Sequence, residues 1–234
     1  MADEIKTNIL NICERIAAAA IRAGRDPAGI RLMAVSKTVE PERIRQALDA
    51  GITLLGENYV QEAREKIPVV GRPAVWHMIG HLQTNKVKYV VNLFDWIHSV
   101  DRLELARELD KRAGQRSRRL NVLIEVNVSG EASKNGAAPG QVLELVRQIS
   151  ILPNVSVRGL MTMPPYSDDP ENSRPCFIVL RQLRDEIVSA ALPGISMDEL
   201  SMGMTDDFEV AIEEGATIIR VGRAIFGERR YSPP

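Results

Sequence analysis

Eight short apolar runs, separated by segments of helical periodicity, constrain the fold of this chain more than any other feature. The runs are IRLMAV (30–35), ITLLG (52–56), AVWHMIG (74–80), FDWIHSV (94–100), LNVLIEVNV (120–128), VSVRGLMTM (155–163), DELSMG (198–203) and TIIRVG (217–222). Between them, PERIRQALDA, DRLELARELDKRA and GQVLELVRQIS place apolar residues three and four apart. Regular β/α alternation demands a parallel sheet covered by helices, and eight units in 234 residues match the size of a closed (β/α)8 TIM barrel. An open doubly wound sheet is the rival, but no glycine-rich dinucleotide fingerprint follows the first strand.

Two segments echo one another. ALDAGITLL (47–55) and AIEEGATII (211–219) share an order in which glycine ends a helix and a strand follows. Ile5, Ile9, Ile12 and Ile16 fall on one face of an added N-terminal helix. No linker or low-complexity tract divides the chain, so residues 1–234 read as a single domain.

Charge and targeting signals narrow the function classes. Thirty Lys plus Arg against 31 Asp plus Glu leave a net charge near −1, which gives no global field to collect nucleic acid or an anionic membrane. The opening MADEIKTNIL is acidic where a secretory leader would be basic, and IAAAAI (16–21) is too short to span a bilayer. A cytoplasmic protein is expected. Cys13 and Cys176 are too few and too distant for a disulfide scaffold and read as core-packing thiols.

In a closed barrel, ligands bind at the C-terminal strand ends, and phosphates favour the loops after strands seven and eight. Those loops are SMGMTDD (201–207) and GRAIFG (222–227), each with a glycine that lets backbone approach an anion. The bland alternative is that Thr205 or Asp206 caps a helix and Gly222 ends a strand. Closure sets strand eight beside strand one, which brings Lys37 of AVSKTVEP next to this loop pair. A lysine there is a solvated charge, a point charge for phosphate or, deprotonated, an amine able to form a Schiff base. The aldehyde-bearing phosphate that unites these demands is pyridoxal 5′-phosphate. Arg220 shares a strand face with Ile218 and Gly222 and so points inward, toward a ring nitrogen or an internal partner such as Glu57 or Glu125.

AVSKTVEP, GENYVQEA, WHMIGHLQTNK, GLMTM and LSMGMTDDFEVAIEEGATIIRVGRAIFG together make the chain resemble the pyridoxal phosphate homeostasis proteins, single-domain relatives of the alanine racemase barrel domain. The resemblance covers nearly the whole sequence, and WHMIGHLQTNK is its most specific segment. It implies that Lys37 carries pyridoxal 5′-phosphate as an internal aldimine and that Arg220 faces the pyridine nitrogen. It also implies that Ser201, Gly222 and the backbone of Arg223 hold the phosphate, with Asn58 lining the pocket. Asn58 has a second reading, a cap paired with Gln61 for the following helix. Arg223 departs from many relatives, which have a small hydroxyl residue there.

Other signals read as structural. His77 and His81 have helical metal-pair spacing but straddle a strand end, so no metal site is expected; His81 borders the mouth, while His77 and His98 are structural. Trp76 and Trp96 read as core anchors. KRAGQRSRR (111–119) reads as a solvated helix end and Lys134 as a solvent lysine.

Three functions compete: a carrier that hands the cofactor to apo pyridoxal-phosphate enzymes, an amino-acid racemase or decarboxylase, and a Schiff-base aldolase. Racemisation needs an acid/base group on each face of the substrate carbon. In alanine racemases one is a tyrosine contributed with a second domain, for which this chain, ending twelve residues after Gly222, has no room. None of Tyr59, Tyr89, Tyr166 and Tyr231 stands in a context that declares it a replacement. The expectation is a monomeric cofactor carrier with no catalytic residue.

Overall fold

The computed structural model describes residues 2–131 and 134–227. Eight strands close into one parallel barrel in the order β1 to β8. They are β1 (Arg31–Val35), β2 (Leu54–Glu57), β3 (Val75–Met78), β4 (Trp96–Val100), β5 (Leu120–Glu125), β6 (Val155–Met161), β7 (Glu199–Ser201) and β8 (Ile218–Val221). Seven lie inside the apolar runs read from the sequence, and β2 runs one residue, Glu57, beyond its run.

Helix α1 (Ala2–Arg22) precedes the barrel. Helices α2 (Pro41–Asp49), α3 (Val60–Val70), α4 (Val87–Leu93), α5 (Leu103–Gly114), α6 (Val142–Ser150), α7 (Arg174–Ser189) and α8 (Phe208–Glu213) alternate with the strands, and α9 (Arg223–Phe226) follows β8. Pro41 opens α2 at a position that needs no N–H, and glycines 51 and 215 leave α2 and α8 with φ of 99° and 103° before the next strand. The echoed segments are thus two copies of one helix-to-strand turn.

Two apolar layers hold the fold. The larger lies between sheet and helices and includes Leu55, Trp76, Ile97, Ile124, Leu160, Phe177 and Phe208. The predicted stripe of α1, Ile5, Ile9, Ile12 and Ile16, is buried in it, where α1 packs on α2, α8 and α9. Full burial of an isoleucine contributes about 1.5–3 kcal/mol, so the stripe fixes α1 firmly against those helices. The smaller layer fills the barrel itself with Met33, Leu54, Ile79 and Ile218.

Strand register then determines what meets at the C-terminal mouth. Met33 pairs with Arg220 and Ala34 with Val221 across β1 and β8, while Val35 pairs with Gly56 across β1 and β2. Side chains alternate along each strand, so Met33 and Val35 of β1, Leu54 and Gly56 of β2, and Ile218 and Arg220 of β8 face inward. Lys37, Asn58 and Gly222 follow the C-terminal ends of these three adjacent strands, on one rim of the barrel.

Candidate functional site

The rim is built by close backbone approach. A Cβ on Gly222 would stand 3.3 Å from the carbonyl oxygen of Val35, so the turn after β8 lies directly against the end of β1. A Cβ on Gly80 would stand 2.3 Å from the Asn58 carbonyl oxygen, so the loop after β3 closes on Asn58 only because residue 80 is glycine. The Asn58 amide oxygen is buried without a hydrogen-bond partner. The expected cap does not form: Tyr59 occupies the N-cap of α3 with no side-chain bond, and Gln61 donates to Glu65 Oε1 at 2.8 Å instead. The Asn58 amide oxygen is thus not spent on a helix cap.

Below the rim lies a polar column. Arg220 is 3% exposed; its Nη1 donates to Ser201 Oγ at 2.7 Å and its Nη2 to the Thr162 carbonyl at 2.8 Å. Ser201 Oγ is also 3.1 Å from His98 Nδ1, and His98 Nε2 is 2.8 Å from His77 Nδ1. The column thus crosses the barrel from β8 through β7 and β4 to β3. Burial holds the charged form of both imidazoles off: His77 is lowered to about 3, and His98 is pushed well below its usual value, aided by its neighbours His77 and Arg220. Burial also lowers Arg220 to about 10, which leaves it a cation and a hydrogen-bond donor at neutral pH.

The two carboxylates considered as partners for Arg220 lie elsewhere in its surroundings. Glu57 faces outward, where its Oε1 accepts from Ser36 Oγ at 2.7 Å and from Lys66 Nζ at 3.2 Å. Glu125 is 4% exposed with one oxygen unpartnered, and burial together with the nearby Asp101 raises it to about 7 despite the opposing Arg220 charge. An arginine fixed by neutral acceptors beside a carboxyl poised near neutrality can orient a ring that offers an acceptor atom.

Comparison with known proteins identifies the relatives of this arrangement. The family model for the alanine racemase N-terminal domain matches residues 5–230. The pyridoxal phosphate homeostasis protein of Aquifex aeolicus (strain VF5) is 49% identical over 221 residues, covering 94% of this chain and 96% of that protein. The chain belongs to the pyridoxal phosphate homeostasis protein family. Among solved structures, an unknown protein from Bifidobacterium adolescentis superposes with a TM-score of 0.92 at 39% identity, covering 96% of this chain and 95% of that one. PipY of Synechococcus elongatus PCC7942, with PLP bound, superposes with a TM-score of 0.79 at 36% identity, covering 92% of this chain and all of that one.

In this member of the family, the Arg223 side chain is paired with Asp206: its Nη2 lies 2.7 Å from both carboxylate oxygens. Ser201 Oγ accepts from Arg220 Nη1 and lies within hydrogen-bond distance of His98 Nδ1. Neither Thr205 nor Asp206 caps α8; Asp207 is its N-cap residue, and its carboxylate accepts from the Met204 N–H at 2.6 Å, which tightens the 204–207 loop.

His81 lines a cavity of about 420 Å³ with Asn58, Tyr59, Arg64 and Tyr89; of the residues expected to hold the cofactor, Asn58 alone is among its lining. His77 turns inward to His98 and stacks on Trp96 with ring centroids 5.5 Å apart, so His77 and His81 do not face one another. Trp76 is fully buried, whereas Trp96 is only part-buried beneath the column. The cysteine expectation is corrected: Cys13 lies on the exposed side of α1 and Cys176 is part-buried on α7, since both fall outside the apolar stripes of their helices. Arg118 of the basic run donates to the Val91 and Phe94 carbonyls at 2.5 and 3.3 Å, so part of that run ties down the end of α4. Lys134 lies 3.5 Å from Glu131. Tyr231 lies outside the described residues, among which no helix is long and apolar enough to cross a membrane.

Proposed function

We propose that this chain is a cytoplasmic, single-domain protein that binds pyridoxal 5′-phosphate at the C-terminal mouth of its barrel and acts in the homeostasis of that cofactor as a carrier, without a dedicated reaction. The observation that carries the proposal is the pairing of β1 with β8, which sets the inward guanidinium of Arg220 and the close backbone turn at Gly222 beside the end of the strand that Lys37 follows. The residues suit such a ligand: Arg220 supplies a fixed donor, Asn58 an unpartnered buried acceptor, and Gly222 an approach for phosphate that a side chain would crowd.

When bound, the cofactor supplies an aldehyde that condenses with a lysine amine, with loss of water. Lys37 would provide that amine. Arg220, held from below by Ser201 and Thr162, would donate to the ring nitrogen and keep it unprotonated, which withholds the electron sink that amino-acid chemistry needs. Gly222 and the N–H of Arg223 would meet the phosphate, and Asn58 would border the ring. The name of the Aquifex relative and the bound cofactor in the PipY structure support the reading.

The test is the visible spectrum of the purified protein with pyridoxal 5′-phosphate, before and after borohydride, with mass spectrometry of the reduced product. A yellow protein whose reduced pyridoxyl group maps to Lys37, and a colourless Lys37→Ala variant, are expected. A wild-type protein that stays colourless and unmodified would overturn the reading.

A further inference from the structure

Lys37 occupies the corner of a tight turn. The Val39 N–H donates to the Ser36 carbonyl at 3.0 Å, and Thr38 has φ +62° while Lys37 does not share a positive φ. This pattern is a type II turn, whose third position favours glycine. A β-branched residue there is strained, by roughly 1–2 kcal/mol. Something outside the turn must hold it.

The holding group is a buried ion cluster on α3 and β2. Glu62 Oε2 accepts from the Thr38 N–H at 2.7 Å, and Lys66 Nζ donates to the Ser36 carbonyl at 2.7 Å. Lys66 Nζ also meets Glu62 Oε2 at 2.6 Å and Glu57 Oε1 at 3.2 Å, and Glu57 Oε1 accepts from the Ser36 hydroxyl at 2.7 Å. Both residues flanking Lys37 are therefore tied to the same cluster. Glu62 and Lys66 lie four apart, one helical turn, which spans the two ends of the strained corner. Lys66 is 8% exposed and Glu57 fully buried. A buried pair of this kind adds little net stability, because desolvation offsets attraction, whereas it does fix geometry.

We propose that Glu62 and Lys66 are positioning residues that clamp the 36–39 turn and so set where the Lys37 amine emerges at the mouth. The proposal rests on the reading of Lys37 as the cofactor-linked residue. The clamp acts on the bond to Lys37 and leaves alone the contacts made from the far side by Arg220 and the Gly222 turn.

The distinguishing measurement compares retention of pyridoxal 5′-phosphate with that of pyridoxine 5′-phosphate, which has the same ring and phosphate but no aldehyde. Glu62 is part-exposed, so Glu62→Ala is expected to fold, and its urea midpoint is measured alongside. In this variant retention of pyridoxal 5′-phosphate should fall about tenfold, the scale of one charge-assisted hydrogen bond, with pyridoxine 5′-phosphate affinity unchanged. Glu62→Gln, which keeps an acceptor oxygen for the Thr38 N–H, should recover most of the loss. Equal losses for both ligands, no loss for either, or no recovery by glutamine would overturn the clamp. A wild-type protein with no preference for the aldehyde would instead overturn the assignment of Lys37, and the clamp with it.

Discussion

Arg220 and Ser201 meet at 2.7 Å in the middle of the barrel, and the same serine oxygen lies 3.1 Å from His98. Ser201→Ala leaves a buried guanidinium arm and an imidazole nitrogen without that oxygen. A loss of about 1–3 kcal/mol in urea denaturation is expected, well above the effect of an exposed serine.

Replacing Arg220 separates charge from geometry. Arg220→Lys keeps a cation but cannot reach Ser201 and the Thr162 carbonyl with one planar fork, so cofactor affinity should stay well below wild type, as in Arg220→Leu. Equilibrium dialysis on folded protein measures it. Unchanged affinity in both variants would show that Arg220 does not face the ring.

Glu125, buried within reach of the Arg220 charge, gives the barrel a pH signature. Its folded value, about 7, lies above its unfolded value of 4.5, so between these the folded chain keeps a proton that the unfolded chain has lost. Its contribution therefore favours folding at low pH and is lost as pH rises from about 4.5 to 7, by at most about 3 kcal/mol. His77 and His98, lowered by burial, act in the opposite direction below pH 6.5, but equally in wild type and variant. The stability of Glu125→Gln relative to wild type, from urea melts at several pH values, should grow across that window and level off above it. A constant difference would show that the Glu125 carboxyl is not raised in the folded chain.

The strands were legible because a strand buried on both faces is a continuous apolar run, and period-two counting from Ile218 was enough to turn Arg220 inward. The polar column was not legible: His98 and Ser201 are 103 residues apart, and only the closed barrel brings β4 opposite β7. The cluster around Lys37 was hidden for a similar reason. Glu57, Glu62 and Lys66 lie within ten residues, yet their meaning depends on which face α3 turns to the end of β1. The Asn58 cap was a misreading of a local pattern, since the start of α3 at Val60 puts Tyr59 at the N-cap.

Gly80 offers a steric test of the rim. An alanine there would drive its Cβ into the Asn58 backbone, at 2.3 Å from the carbonyl oxygen and 2.7 Å from Cα, neither of which a rotamer change relieves. Gly80→Ala should lose about 1–3 kcal/mol in urea denaturation and bind the cofactor more weakly as Asn58 is displaced. Gly140→Ala, whose added Cβ meets nothing within 4 Å, is the control and should be close to neutral.

The last prediction separates carrier from enzyme. An acid/base pair for racemisation needs a second group opposite Lys37, yet Tyr166 donates its hydroxyl to Asp168 at 2.9 Å and Tyr89 lies under the Arg64 guanidinium at 4.6 Å. On the proposed reading, a ring nitrogen kept unprotonated by Arg220 would further weaken any reaction at an amino-acid α-carbon. Negligible racemisation and decarboxylation of common amino acids are therefore expected, together with transfer of pyridoxal 5′-phosphate from the loaded protein to an apo enzyme that requires it. Recovery of that enzyme's activity would be followed beside loss of yellow colour here, with free cofactor at matched concentration as the control. Efficient turnover of an amino acid without release of cofactor would replace the carrier by a racemase or decarboxylase.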